Sequence, residues 1–297
     1  GQMKSKLVSV SSFYRMPFEE KAHIEDGSFI NARVGLFGVL DGVSAAYSPK
    51  NPLTYYRGGL TSGQAAVREA VAYGSYVGKP INLQKFTREV NSRISIVHKD
   101  MGKDPAKDNV GGASFVFCQI AKDGLHFLMG GDCYVFCRCE SGLFVFSGFD
   151  QAAFKVEEQD NQNYARCLEQ AGGDKGLAWD LYYPIFKAKK LRCANKNMGC
   201  GGYAELNGDP VLEQCWKVVE MSWRDRPQVI LLCTDGLLPF AETNPKNWDF
   251  LAKKIDDIYS QGGLAAILKW RDETEKSLAH IAGWPEATAV ELRFANQ

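Results

Sequence analysis

The order of the predicted strands and helices is the feature of this sequence that most limits the possible folds. Apolar runs typical of strands occur within the first forty residues, two amphipathic helices follow within 61–101, and strands return over 114–146. An irregular stretch, a short apolar strand at 229–233, further helices and a last strand complete the chain. A doubly wound parallel sheet would alternate strand and helix regularly, and this chain does not. The order favours an α+β fold in which two antiparallel β-sheets pack together with helices outside them.

Local signals place two helix starts and one irregular region. Thr61-Ser62-Gly63-Gln64 has the spacing of a capping box, which predicts a helix after Thr61, and Asn82 can cap a second helix. The stretch at about 156–215 is the least regular part of the chain, with one helix expected around 164–171. Separate helices are expected at about 248–260, 263–270 and 273–281.

The irregular stretch also contains a basic patch, which consists of Lys187, Lys189, Lys190 and Arg192. A run of lysine and arginine is usually a solvated face, and we favour that interpretation. Docking of an acidic partner is the alternative that the sequence leaves open.

Charge and composition exclude several classes of protein. The 297 residues include 35 Lys+Arg and 35 Asp+Glu, so the formal net charge is zero, and 45% are hydrophobic. These values exclude a disordered chain and a nucleic-acid binder that works through bulk positive charge. No uncharged apolar stretch approaches the roughly 18 residues of a membrane span, and we expect neither a membrane anchor nor a signal peptide.

The nine cysteines are typical of a reducing compartment, so we expect a cytoplasmic protein. Their number is odd, and no two have the C-x-x-C spacing of metal and redox motifs. We interpret them mainly as small buried hydrophobic residues. A pair between Cys193 and Cys200, or zinc held by these two with Cys215, is the alternative.

Acidic residues at the ends of apolar strands are the best candidates for chemistry. Asp41, Asp132 and Asp235 each follow an apolar run, and Glu286 precedes the last one. If these strand ends meet at one sheet edge, like charges come together, which is unfavourable unless a cation lies between them. Carboxylates and backbone carbonyls suit hard divalent cations such as Mg²⁺ and Mn²⁺. Each acid alone is also an ordinary turn former, because Asp-Gly is a common turn dipeptide.

Six short motifs occur in the order found in the metal-dependent protein phosphatases of type 2C, the PPM family, and on them the sequence resembles that family. They are Glu25-Asp26 (family N-E-D), Phe37-Gly38-Val39-Leu40-Asp41-Gly42 (F-G-V-F-D-G), Gly111-Gly112-Ala113-Ser114 (G-S-T-A), Gly130-Gly131-Asp132-Cys133-Tyr134 (G-D-S-R), Leu231-Leu232-Cys233-Thr234-Asp235-Gly236-Leu237 (L-A-S-D-G-L) and Pro285-Glu286-Ala287-Thr288-Ala289-Val290 (D-N-A-T-V-V). Each motif is short, but the ordered set covers about residues 5–297.

The resemblance implies a four-layer αββα sandwich, formed by a single PPM-type phosphatase domain over residues 1–297. The irregular insertion at about 156–215 would then be the flap that shapes substrate access. The implied cofactors are two Mn²⁺ or Mg²⁺ ions, with a weaker third site. Two cations can lower the pKa of a shared water and neutralise the phosphoryl group that this water attacks.

The implied site residues follow from the matched motif positions. Asp41 would bridge two ions, and Asp41, Asp235 and Glu25 would carry catalysis. The implied metal ligands are Glu25 (through water), Asp41, the Gly42 carbonyl, Asp132 (at the third ion), Asp235 and Glu286; Lys21 would bind phosphate, and Asp26 would hydrogen-bond metal-bound water.

The chain departs from the family pattern beside these residues. The family has H-G-G after its Asp-Gly, and this chain has Val43-Ser44-Ala45, so the histidine proposed as general acid is absent. Lys21 keeps the charge of the family's phosphate-binding arginine without its bidentate fork. Glu286 is one methylene longer than the last metal aspartate. His23 is a candidate for the missing acid, or else an ordinary surface or core histidine.

Three functions therefore remain as expectations. The first is a metal-dependent phosphatase of phosphoserine and phosphothreonine in proteins, working as a monomer on a phosphorylated protein substrate, with no nucleic-acid or membrane partner. The second is a catalytically weak or inactive pseudophosphatase that acts as a binding or regulatory module. The third is a phosphatase of small phosphorylated molecules.

Overall fold

Two five-stranded antiparallel β-sheets packed face to face form the centre of the molecule. The computed structural model describes residues 5–17, 23–238, 247–276 and 286–296. The strands are β1 (Ser5–Arg15), β2 (Asp26–Asn31), β3 (Leu36–Val43), β4 (Gly112–Ile120), β5 (Gly124–Gly130), β6 (Tyr134–Cys139), β7 (Gly142–Ser147), β8 (Lys217–Ser222), β9 (Pro227–Cys233) and β10 (Ala287–Asn296). The helices are α1 (Ser62–Tyr76), α2 (Leu83–Asp100), α3 (Gln151–Gln170), α4 (Lys175–Cys193) and α5 (Trp248–Lys276).

The two sheets combine strands from distant parts of the chain. The front sheet has the order β2-β3-β4-β5-β8, and the back sheet has the order β1-β10-β9-β6-β7. In the front sheet Asp26 of β2 lies opposite Asp41 of β3, and Asp41 lies opposite Ser114 of β4. In the back sheet the short apolar strand β9 lies between β10 and β6.

Apolar layers fill the space between the sheets and under the helices. In β3, Phe37 and Val39 pack between the two sheets, whereas Leu36 and Leu40 pack under α1 and α2. Because both faces of β3 are buried, its sequence is a continuous apolar run rather than an alternating one. The back sheet is covered on its outer face by α5. The layers are thus helix, sheet, sheet and helix, which confirms the predicted αββα sandwich.

Both predicted helix starts are present. The Thr61 hydroxyl accepts a hydrogen bond from the Gln64 amide (3.0 Å), and the Gln64 side chain accepts one from the Thr61 amide (2.9 Å), which completes the capping box. Asn82 caps α2 by accepting from the Lys85 amide (2.8 Å). Helix α1 approaches the front sheet closely at Gly74, where a Cβ atom would lie 2.6 Å from the Phe29 ring.

The insertion predicted as irregular at about 156–215 is mostly helical. It consists largely of α3 and α4, which form a hairpin, and the helix expected at 164–171 is only the end of α3. Asp150 and Asp174 cap these helices. The prediction failed because α3 buries few apolar side chains and because α4 contains Pro184, a residue that normally indicates a helix break.

The interpretation of the basic patch as a solvated face is wrong for two of its residues. Lys189 is 5% exposed and forms ion pairs with Glu157 (3.0 Å) and Asp160 (2.9 Å). Lys190 is 4% exposed and lies 3.6 Å from a carboxylate oxygen of Glu205. Buried charges need such partners, and the sequence alone did not reveal them.

The remaining helix and cysteine expectations have mixed outcomes. Helix α5 is one element with a kink at Gly262 and Gly263 rather than separate helices, and 277–281 lies outside the described residues. All nine cysteines are free, and seven of them are buried, in agreement with their interpretation as small hydrophobic residues. No helix in the described ranges is long and apolar enough to cross a membrane.

Candidate metal centre

Three aspartates from both sheets meet where their strands end. Asp41 lies near the end of β3, Asp132 follows β5 and Asp235 follows β9. One carboxylate oxygen of each lies within 4.8 Å of those of the other two. We call this set the tri-aspartate cluster. It is the only such group of potential metal ligands within the ranges that the structure describes, and no cysteine belongs to it.

Local structure fixes the direction of these side chains. The sheet pairing places Ser114 beside Asp41, and the Ser114 hydroxyl also accepts a hydrogen bond from the Asp132 amide (3.4 Å). Gly131, directly before Asp132, has a φ of +79°, and a Cβ there would lie 2.1 Å from the Ser114 hydroxyl. A glycine is therefore required for the turn that directs Asp132 towards Asp41.

Electrostatic repulsion dominates the cluster. Burial, followed by the charge of Asp235, raises the pKa of Asp41 well above its usual value. Burial and the same neighbour also raise the pKa of Asp132 well above its usual value. Carboxylates so close together cannot all be ionised without a compensating charge, and a bound cation supplies that charge.

Asp26 lies next to the cluster with one oxygen unused. Its Oδ2 accepts hydrogen bonds from the hydroxyls of Thr288 (2.7 Å) and Thr234 (3.1 Å). Its Oδ1 is buried and has no hydrogen-bond partner in the described part of the chain. Burial and the nearby Glu286 raise the pKa of Asp26 to about 8. A buried polar atom without a partner is costly, so this oxygen needs a proton, a water or a cation.

Glu25 is held by two hydroxyl groups. Its carboxylate accepts hydrogen bonds from Ser44 and from Thr61 (2.7 Å), the residue that caps α1. Burial raises the pKa of Glu25, and the two hydrogen bonds oppose that shift. Gly42 packs directly against Glu25: its amide donates to the Glu25 carbonyl (3.2 Å), and a Cβ would lie 2.4 Å from that oxygen.

The structure does not bring Glu286 into the tri-aspartate cluster. Its Oε1 accepts hydrogen bonds from the amides of Glu25 (2.8 Å) and Asp26 (3.0 Å), and its Oε2 accepts one from the Tyr14 hydroxyl (2.8 Å). In this structure Glu286 holds the backbone of the neighbouring acids, and its role as a metal ligand stays a prediction. Compared letter by letter, the motif places Pro285 opposite the family's aspartate and Glu286 opposite the asparagine, and Pro285 lies outside the described residues.

The remaining predicted residues have different outcomes. Lys21 lies outside the described residues, so its expected phosphate contact stays a prediction. His23 lies edge-on to the rings of Tyr47 (6.3 Å between centroids) and Tyr55 (6.2 Å). It is close enough that its charge acts to lower the pKa of Glu25.

The sequence analysis missed the residues that support the acids. They are Tyr14, Ser44, Thr61, Ser114, Thr234 and Thr288. Thr234 directly precedes Asp235, and Ser44 follows Asp41 by three positions, so closeness in sequence was a usable signal for these two. Tyr14 gave no such signal, because it is 272 positions from Glu286.

The donors at this site fit hard divalent cations. All are carboxylate oxygens, they come from rigid strand ends, and their mutual repulsion is unfavourable without positive charge. The unused Asp26 oxygen provides a further acceptor beside them. The residues present thus suit Mg²⁺ or Mn²⁺ better than zinc, for which sulfur and nitrogen donors are usual.

Comparison with known proteins places the fold. No family model matches the chain, and no curated protein matches it. Among solved structures, the PPM Ser-Thr phosphatase MsPP from Mycobacterium smegmatis, in complex with cacodylate, has a TM-score of 0.56 at 14% identity and covers 97% of this chain and 98% of its own. PppA, a type VI secretion regulatory component of Pseudomonas aeruginosa, has a TM-score of 0.55 at 16% identity and covers 99% of this chain and 100% of its own. The PstP catalytic domain with two manganese ions has a TM-score of 0.52 at 16% identity and covers 98% of this chain and 100% of its own.

The chain therefore has the fold of the PPM serine/threonine phosphatases along nearly its whole length. At these identities the likeness establishes the fold alone. The tri-aspartate cluster is the feature on which a function for this chain must rest.

The raised pKa of Asp26 predicts how the stability of the metal-free protein depends on pH. Because the pKa is about 8 when folded and near 4 when unfolded, the folded state holds the extra proton between these values. The free energy of unfolding contributed by this group is therefore complete below about pH 4 and is lost as the pH rises towards about 8. In EDTA, the free energy of unfolding of the parent should therefore fall as the pH rises, and Asp26→Asn should make that fall less steep by up to about 1.4 kcal/mol per pH unit.

Urea unfolding of the parent and Asp26→Asn between pH 5 and 8 measures this slope. Asp100→Asn, at an exposed position at the end of α2, is the matched control and should retain the parent slope. Equal slopes in all three proteins would contradict the assignment.

The position of Glu286 predicts that it contributes little to cation affinity. In Glu286→Gln the amide oxygen can still accept from the Glu25 and Asp26 amides. Calorimetric titration with Mn²⁺ should give an affinity within about threefold of the parent, whereas Asp41→Asn should lose more than the roughly 10- to 100-fold typical of an outer-shell partner. A loss in Glu286→Gln as large as that in Asp41→Asn would support Glu286 as a ligand.

Proposed function

We propose that the chain is a divalent-cation-dependent phosphatase that hydrolyses phosphoserine and phosphothreonine esters in proteins. The observation that carries the proposal is the tri-aspartate cluster, built from both sheets of a PPM phosphatase fold. The neighbour PstP, solved with two manganese ions, supports Mn²⁺ as the ion to test first. A monomeric, cytoplasmic protein remains a prediction from the sequence.

The residues that would hold the cations are Asp41, Asp132 and Asp235, with the Gly42 carbonyl and Glu25 as further oxygen donors. When bound, two such cations activate a water for attack on phosphorus and neutralise the phosphoryl oxygens. Ser44 and Thr61 keep the Glu25 carboxylate in one orientation through their hydroxyl groups. Thr234 and Thr288 likewise hold Asp26 through its Oδ2, and among the described residues its buried Oδ1 has no hydrogen-bond partner.

Proton movement at the site falls to the chain's own acids. A carboxyl group whose pKa is near 8 can hold or release a proton near neutral pH, and Asp26 meets this condition in the metal-free protein. Val43 has no titratable group, so it cannot protonate the leaving alkoxide. His23, which lies near Glu25, is the candidate that the sequence offers for that step.

The likeness of the fold to protein phosphatases supports a protein substrate. Neighbours along nearly the full chain are described as Ser-Thr phosphatases, and one as a serine threonine protein phosphatase. The chemistry of the cluster alone would equally serve a small phosphate monoester, so substrate comparison belongs in the test.

One observation favours a second candidate, a pseudophosphatase that binds partners without efficient turnover. Both carboxylate oxygens of Glu286 bind protein groups, so the predicted fourth acidic ligand does not join the cluster. The absence of a histidine at Val43 would slow leaving-group departure as well. Cation binding without turnover would support this candidate.

Turnover with and without Mn²⁺ tests the proposal. The parent should hydrolyse p-nitrophenyl phosphate and a phosphoserine peptide only when Mn²⁺ is present. Asp41→Asn should lower kcat by more than about 100-fold, beyond the range typical of an outer-shell change. Asp100→Asn, at an exposed position, should retain parent activity. Absence of turnover with both substrates, despite cation binding, would reject the phosphatase and favour the pseudophosphatase.

A further inference from the structure

An open cavity of about 460 Å³ lies beside the loop that follows Asp41. Three lysines line it, namely Lys103, Lys107 and Lys187, and Tyr183 forms part of the same wall. None of the tri-aspartate carboxylates lines this cavity, so it is separate from the candidate metal centre. Its volume lies within the roughly 300–1,000 Å³ usual for sites that bind small groups. We call it the lysine cavity.

The loop that carries two of these lysines is fixed to the loop after Asp41. The Asn109 side chain accepts a hydrogen bond from the Ala46 amide (2.9 Å) and donates one to the Ala46 carbonyl (3.0 Å). This paired contact resembles a short piece of sheet and holds the loop of Lys103 and Lys107 against the site.

Helix α4 contributes Tyr183, Lys187 and Leu191 to the lining and is attached to the same loop. The buried ammonium of Lys190 donates to the Ser44 carbonyl (3.1 Å), and Asp180 accepts from the Lys50 amide (2.9 Å). Lys187 lies three positions before Lys190 on this helix, on a neighbouring part of its surface. The backbone of Lys187 is thus held in place through the contacts of Lys190 and Asp180 on the same helix.

The residues that line the cavity carry a net positive charge. Within the described ranges, none of the three lysines forms an ion pair, although Lys187 lies 5.8 Å from the centre of the Tyr183 ring. Asp108 is the one acid among the lining residues, and its carboxylate accepts from the Asp104 amide (2.7 Å). Three lysines and one acid line this space, so the net charge of the lining residues is positive and favours an anion in it.

The cavity begins next to the groups that hold Glu25. Ala45 and Ser62 line it, and the Ser62 hydroxyl accepts from the Ala45 amide (3.2 Å). Ser44, directly before Ala45, donates to the Glu25 carboxylate. Since consecutive Cα atoms in a chain are about 3.8 Å apart, a peptide held at the metal centre can place a side chain of a nearby residue in this cavity.

We propose that the lysine cavity binds acidic side chains that flank the phosphorylated residue of a protein substrate. This inference rests on the proposed phosphatase function, and it goes further by giving the enzyme a preference for acidic sequences. The observation that supports it is that Lys103, Lys107 and Lys187 line one cavity, which lies beside the residues that contact Glu25.

Two matched phosphoserine peptides test the proposal, one with glutamates on both sides of the phosphoserine and one with glutamines there. The ratio of their kcat/KM values in Mn²⁺ at low ionic strength should favour the glutamate peptide about tenfold, as a few partly exposed ion pairs can provide. Lys103→Gln/Lys107→Gln/Lys187→Gln should bring the ratio close to one, and the triple arginine variant should keep it. Lys79→Gln/Lys122→Gln/Lys253→Gln, at three exposed lysines outside the cavity, removes the same charge and should keep it too.

Binding of the same peptides, labelled with fluorescein and followed by anisotropy, separates this proposal from the catalytic one. If the parent hydrolyses neither peptide, the phosphatase proposal fails. The cavity proposal is still supported in that case if the parent binds the glutamate peptide more tightly than the glutamine peptide and the triple glutamine variant does not. Equal binding and equal turnover of the two peptides by the parent would overturn the cavity proposal. So would a preference that survives in the triple glutamine variant.

Discussion

Repulsion among the carboxylates of Asp41, Asp132 and Asp235 is the constraint on which the account of this site depends. The ends of strands from the two sheets place one carboxylate oxygen of each residue within 4.8 Å of those of the other two. Burial raises the cost further, and it appears as raised pKa values of Asp41 and Asp132. A fold that retains such an arrangement needs protons or cations there, and hard divalent cations match the oxygen donors.

The sequence could predict which residues approach one another, because that depends on strand ends. Apolar runs that end in an acid identified Asp41, Asp132 and Asp235, and the capping box at Thr61 identified the start of α1. The sequence could not predict where the Glu286 carboxylate points. Its direction is set by the amides of Glu25 and Asp26 and by the Tyr14 hydroxyl, which are more than 250 positions away in the chain. The pairing of β1 with β10 brings Tyr14 towards Glu286, and the contact of β10 with β2 of the other sheet brings the amides of Glu25 and Asp26 there.

The same limit applies to the loop after Asp41 and to the helices that cover it. Ser44 stands where the family has glycine, and the structure gives two of its polar groups a partner: its hydroxyl donates to Glu25, and its carbonyl accepts from Lys190. A charge run that predicted a solvated face thus supplies a buried contact between α4 and this loop. The altered loop is therefore held by specific contacts in this chain. The loop and α4, which these contacts join, both contribute residues to the lining of the lysine cavity.

The central claim is that the tri-aspartate cluster binds divalent cations, and anomalous diffraction from crystals grown with Mn²⁺ tests it most directly. We predict manganese peaks within coordination distance of Asp41, Asp132 and Asp235, which disappear when magnesium replaces manganese while density for an ion remains. Crystals in which these carboxylates contact no ion at millimolar Mn²⁺, or in which manganese lies only at other surfaces, would contradict the account.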